Sequence, residues 1–140
     1  MNNNECCQAL EETSASITLP KENNYKGNNI EGVHRYHKIY MSYLHLYFCV
    51  IDFTETIFIS VNDENNELTD LQVSYPEDAD NTICLVGVPH SYGNDIARLL
   101  GIKFKIPFYV SVNVDESDEN LTNFIFSSCL EILKPLLKNR

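Results

Sequence analysis

Between Leu44 and Phe53 the chain reads LHLYFCVIDF, apolar at both parities, whereas a strand with one side in water alternates apolar and polar residues. Leu44, Leu46, Phe48 and Val50 point one way, and Tyr47, Cys49, Ile51 and Phe53 the other. Each set needs its own cover. Upstream, VHRYHKIYMSY (33–43) fits a helical stripe through Tyr36, Ile39, Tyr40 and Tyr43, but its β-rich aromatic content favours extended chain. Downstream, a tight connection at Thr54 and Glu55 joins the 44–53 strand to TIFISV (56–61), which makes a hairpin. LTDLQVSY (68–75) alternates before Pro76, and TICLVGV (82–88) is another strand apolar at both parities.

After PHSYGN the period changes. Ile96, Leu99, Leu100 and Phe104 recur at near-helical spacing, and PFYVSVNV (107–114) returns to alternation. The last element starts at DESDEN, where Asp115 or Ser117 offers an N-cap and the acidic cluster suits the positive helix end. Leu121, Phe124, Ile125, Cys129, Ile132, Leu133 and Leu136 then form a broad apolar stripe, and Pro135 is expected to kink or fray its end. These elements predict an α+β domain over 32–140. It has a mostly antiparallel sheet of about five or six strands with two helices on one face. Residues 1–31, rich in Asn, Glu, Ser and Thr, are expected to be disordered or loosely packed, with a short strand at SASITL as the exception to consider.

Two helices cover one face and leave nothing for the other, unless the N-terminal segment supplies part of its cover. That second face carries Tyr47, Cys49, Phe58, Tyr109, Ser111 and Asn113, an aromatic and small-polar mixture with little charge, closer to a protein interface than to a water-facing surface.

Composition narrows the reading. A chain of 140 residues, 44% apolar and 11% aromatic, suffices for one domain with a real core. Ten basic residues against 20 acidic give a net charge of −10, which repels nucleic-acid backbones and anionic lipid. The five cysteines show no metal or redox spacing, the opening segment has no signal-peptide pattern, and no apolar run reaches membrane-spanning length. A cytosolic or nuclear protein with reduced thiols is expected.

Little in the sequence supports chemistry. His34 and His37 form an H-x-x-H pair without further ligands nearby, short of the three or four that zinc needs. Cys49 or Cys84 with His90 would be a nucleophile and base, yet both thiols lie in apolar strands of an acidic chain. VGVPHSYGND lacks phosphate-loop and dinucleotide spacing, and Asp95 with Arg98 reads as a surface ion pair. No catalytic, cofactor-binding or metal site is expected.

The strings FTETIFISVN and ICLVGVPHSYGNDIARLLGIKFKIPFYVSVNVD, followed by a C-terminal amphipathic helix, resemble the proteasome assembly chaperone 4 family over about residues 44–137. The matching positions include Glu55, Phe58, Gly87, Ala97, Arg98, Pro107, Tyr109 and Ser111. The resemblance implies a non-enzymatic chaperone. Its sheet meets that of assembly chaperone 3 in a heterodimer, and the pair binds an α-type subunit of the 20S proteasome, the α5 subunit, to promote correct α-ring assembly. The second face would then be the heterodimer face, with Tyr47, Phe58, Ser60, Tyr109 and Ser111 as the candidate partner residues. Two departures stand out: the Asn-rich N-terminal extension, and Leu100-Gly101 in place of an Ala-containing helix, which is expected to shorten that helix. Two other readings are a different sheet-and-helix binding module, of a trafficking or GTPase-regulating complex, and a small Cys hydrolase.

Overall fold

A computed structural model describes residues 32–78, 81–115 and 118–138. The expectations for 1–31 lie outside them. Six strands form one sheet: β1 (Val33–Tyr40), β2 (Leu44–Asp52), β3 (Ile57–Asn62), β4 (Leu71–Ser74), β5 (Ile83–Val86) and β6 (Phe108–Asn113), in spatial order β1-β2-β3-β6-β4-β5. Two helices follow the sheet logic, α1 (Tyr92–Phe104) and α2 (Glu119–Leu137). The α+β expectation holds. The sheet is mostly antiparallel, as expected; the exception is β3 with β6, which pair in parallel, Phe58 beside Tyr109 and Ser60 beside Ser111. Strand alternation alone carries no direction, so only the connectivity through β4, β5 and α1 could reveal it.

Local chemistry explains the element ends. The β1–β2 turn closes with Tyr43 N–H donating to Tyr40 O at 3.2 Å, with Met41 and Ser42 both at positive φ, as in a mirror-image hairpin turn. In the β2–β3 turn Asp52 Oδ1 accepts from Thr54 N–H at 2.8 Å. The Ser91 hydroxyl caps α1 by accepting from Asn94 N–H. Asp118, rather than Asp115 or Ser117, caps α2, its Oδ1 accepting from Leu121 N–H at 2.7 Å. Gly101 does not shorten α1: the helix continues to Phe104 and ends where Lys105, at φ 62°, donates its N–H to Gly101 O. Gly101 is buried, so the missing side chain serves close packing. Pro135 sits inside the last turn of α2, which stops two residues later at Leu137.

Both helices pack on one face. Leu46, Phe48 and Val50 of β2, Ile57 and Ile59 of β3, and Phe108 and Val110 of β6 meet Ile96, Ala97 and Leu100 of α1 and Leu121, Ile125, Cys129 and Leu133 of α2, all essentially without solvent contact. Each large apolar side chain buried here contributes roughly 1.5–3 kcal/mol. At the β1 margin Lys38 reaches Glu131 at 3.2 Å and lies over the Phe124 ring, which tilts against Tyr40, so α2 is fastened to the edge strand.

Because β4 lies beyond β6, the crossover from β3 must pass the C-terminal end of β6. Asp70 secures it from within. Its Oδ1 accepts from Gln72 Nε2 (2.8 Å) and Ser91 Oγ (2.9 Å), and its Oδ2 from Val112 N–H (3.1 Å). The carboxylate thus sits at the positive end of α1, directly against Gly93, where an added Cβ would come within 2.0 Å of Oδ2. Gly93→Ala is expected to displace this carboxylate, breaking buried hydrogen bonds at a cost of about 1–3 kcal/mol. Urea denaturation measures it; an unchanged midpoint would mean that Asp70 does not hold the crossover.

Candidate functional site

Register fixes what the helix-free face contains. Direct cross-strand partners share a face, so Val33, Ile51, Phe58, Tyr109, Val73 and Ile83 form one continuous apolar row spanning all six strands. A second row is Arg35, Cys49, Ser60 and Ser111, and a third is His37, Tyr47, Asn62 and Asn113. Arg35 is the one acidic or basic side chain in these rows, His apart. The face therefore has an apolar band and a neutral polar band side by side.

The apolar band is shaped. Ile51, Phe53, Thr56, Phe58 and Tyr109 line a shallow depression of about 470 Å³. Phe53 at its rim is 62% exposed, while Phe58 and Tyr109 are half-buried. An open apolar concavity between aromatic walls accepts a large apolar side chain from another surface, the arrangement in which interface hot spots are found. Such a contact draws its energy from desolvation and dispersion rather than from charge.

The polar band is mostly committed within the chain. Ser111 Oγ donates to Asp70 O at 2.6 Å. Asn113 Oδ1 accepts from the Thr69 and Asp70 N–H groups (2.8 and 3.0 Å), and its Nδ2 donates to Ser111 Oγ. These side chains clasp the β3–β4 crossover. His37 and His45 are joined by a 2.9 Å Nε2···Nδ1 hydrogen bond, with His37 stacked between His45 and Tyr47. His34, one strand position off this parity, faces the other side, so the H-x-x-H spacing does not bring that pair together.

The structure places all five candidate partner residues, Tyr47, Phe58, Ser60, Tyr109 and Ser111, on this one face. It divides them by accessibility. Phe58, Ser60 and Tyr109 are half-buried, whereas Tyr47 is buried in the histidine stack and Ser111 has no solvent contact. Ile51 and Phe53, which complete the depression, were legible from the parity of 44–53; Thr56, in the turn, carried no such signal.

The thiols offer little chemistry. Cys84 is half-buried, with Sγ accepting from Gln72 Nε2 at 3.4 Å, and exposed His90 hydrogen-bonds neither Cys49 nor Cys84, so no nucleophile–base pair is assembled. Among the described residues no group of three or more His, Cys, Asp and Glu converges as metal ligands do. No described helix is long and apolar enough to cross a membrane.

Comparison with known proteins follows this geometry. The family model described as proteasome assembly chaperone 4 matches residues 45–114, half of the chain and all of the strands around the depression. A chain from a crystal structure of a chaperone complex for yeast 20S proteasome assembly superposes with a TM-score of 0.52 at 19% identity. The match covers 76% of this chain and 98% of that one, and at this identity it speaks for the fold. No curated protein sequence matches.

Cys129, on the core side of α2, has its thiol pushed up to about 12 by desolvation. A folded-state pKa raised from 9.0 contributes stability that is complete below about pH 9 and is lost as pH rises towards 12. Wild-type stability is expected to fall over that range more steeply than that of Cys129→Ala, after allowance for the cavity penalty measured at pH 7. Parallel slopes in pH-dependent denaturation would show that Cys129 is not shielded.

Proposed function

We propose that this chain, which belongs to the proteasome assembly chaperone 4 family, offers its helix-free sheet face to assembly chaperone 3 and with it holds the α5 subunit of the 20S proteasome for α-ring assembly. The family is one of assembly chaperones, not enzymes. The observation that carries the reading is the apolar row with its depression between Phe53, Phe58 and Tyr109, left on the side that neither helix covers.

The mechanism is binding. A flat sheet face with one concavity and almost no charge suits stacking against a second sheet, whose apolar side chains fill the depression and whose polar groups meet Ser60 and Asn62. The joined pair then acts on α5 by raising the local concentration of a correctly oriented subunit and obstructing wrong neighbours. No cofactor enters such a cycle, and the place of action is the cytosol or nucleus, where the particle is built.

Co-expression with assembly chaperone 3 is expected to give a soluble one-to-one complex that retains α5. Phe58→Asp or Tyr109→Asp should weaken it by about 2–4 kcal/mol, since each forces an unpaired charge into the desolvated centre. Circular dichroism separates this from unfolding. A folded Tyr109→Asp chain that still co-purifies with chaperone 3 would remove the face from the interface. His90→Ala, by contrast, should leave α-ring assembly, read on native gels, unchanged; loss of assembly in that folded variant would revive the hydrolase reading.

A further inference from the structure

The sheet ends in two unlike edges. β1 carries Arg35 and Lys38, the charged side chains that discourage further strand pairing. β5 (ICLV) carries none. Ile83 belongs to the apolar row of the helix-free face, but the rest of this flank is apolar and open as well: Leu85 is 53% exposed and Val88 60%. An unguarded apolar edge invites aggregation unless it is used.

This edge is held as a fixed template. Asn94 Nδ2 of α1 donates to Thr82 Oγ1, just before β5, and to Gln72 Oε1. Gln72 Nε2 in turn reaches Val88 O at 3.1 Å, just after β5. Both ends of the strand are therefore tied to α1 and β4, while on its outer side β5 pairs with no strand of the described residues. Where β5 ends, Gly87 and Val88 form one wall of a cavity of about 210 Å³ between α1 and α2, lined also by Asp70, Tyr92, Leu121 and Ile125.

Charge is sharply partitioned along the chain that leads into and out of β5. Residues 63–97 hold eight of the 20 acidic residues and no Lys or Arg. Glu64, Glu67, Glu77 and Asp78 among them are exposed, and Asp70 at the cavity is 5% exposed with three neutral donors and no cation.

We infer that the β5 edge and the adjoining cavity form a second docking site, separate from the helix-free face, for an extended segment of a partner protein in which apolar residues alternate with Lys or Arg. Main-chain bonds to β5 supply the extended register, an apolar side chain enters the cavity beside Val88, and the basic side chains meet the acidic surround. A segment rich in Glu or Asp is rejected by the same charges.

The test uses the intact chain immobilised as bait for a phage-displayed random peptide library. Enriched peptides are expected to be free of internal Pro, to alternate apolar with basic residues and to lose affinity as salt rises. As synthetic peptides they should bind Leu85→Lys or Val88→Lys at least about tenfold more weakly, because an edge lysine blocks strand addition and repels the ligand. Both positions are exposed, so melting temperature should be unchanged; Phe58→Asp, on the other face, should leave peptide binding intact. The inference is overturned if nothing enriches, if the selected peptides show no basic bias, or if Leu85→Lys binds them as wild type does.

Discussion

Everything in this fold follows from one constraint: two helices can shelter only one side of a six-stranded sheet. α1 and α2 bury Leu46, Phe48, Val50, Ile57, Ile59 and Phe108, and strand parity then sends Ile51, Phe58 and Tyr109 to the opposite side without further choice. A sheet that is apolar on both faces but packed by helices on one keeps a hydrophobic driving force at the apolar row of the other. The depression at Phe58 and Tyr109 gives that force a position.

The parallel pairing of β3 with β6 adds the second consequence. With β6 lying between β3 and β4, the chain is obliged to cross the C-terminal end of β6, where polar backbone would be exposed or buried unpaired. Ser111, Asn113 and Asp70 resolve this by bonding the crossover at both its backbone and its flank. Asp70 also sits at the start of α1, so the crossover, the last two strands and the helix are locked as one unit. The polar residues of the open face are therefore divided: Ser111 and Asn113 hold the fold, while Ser60 stands half-buried beside the apolar row.

Much of this was written in the sequence, for identifiable reasons. Period-two alternation in TIFISV and PFYVSVNV and the apolar stripe of the last helix fixed element type, and the doubled parity of LHLYFCVIDF exposed the uncovered face. Alternation is blind to strand direction, so it did not reveal that β3–β6 is the parallel exception in a mostly antiparallel sheet. It is equally blind to edges. TICLVGV reads like a core strand, but its apolar residues stand at the margin of the sheet with Leu85 and Val88 in solvent. The separate duties of Ser111 and Ser60, identical in type and adjacent in register, depend on a crossover 41 residues away along the chain from Ser111, which no local pattern announces.

On the function proposed above, the helix-free face, and not the helix layer, meets assembly chaperone 3. Photo-crosslinking reads this directly: benzoylphenylalanine is placed at position 58 or, on the exposed side of α2, at position 134, in the chain co-expressed with assembly chaperone 3. The account predicts a covalent adduct with chaperone 3 from position 58 and none from position 134. An adduct from 134 alone would contradict it.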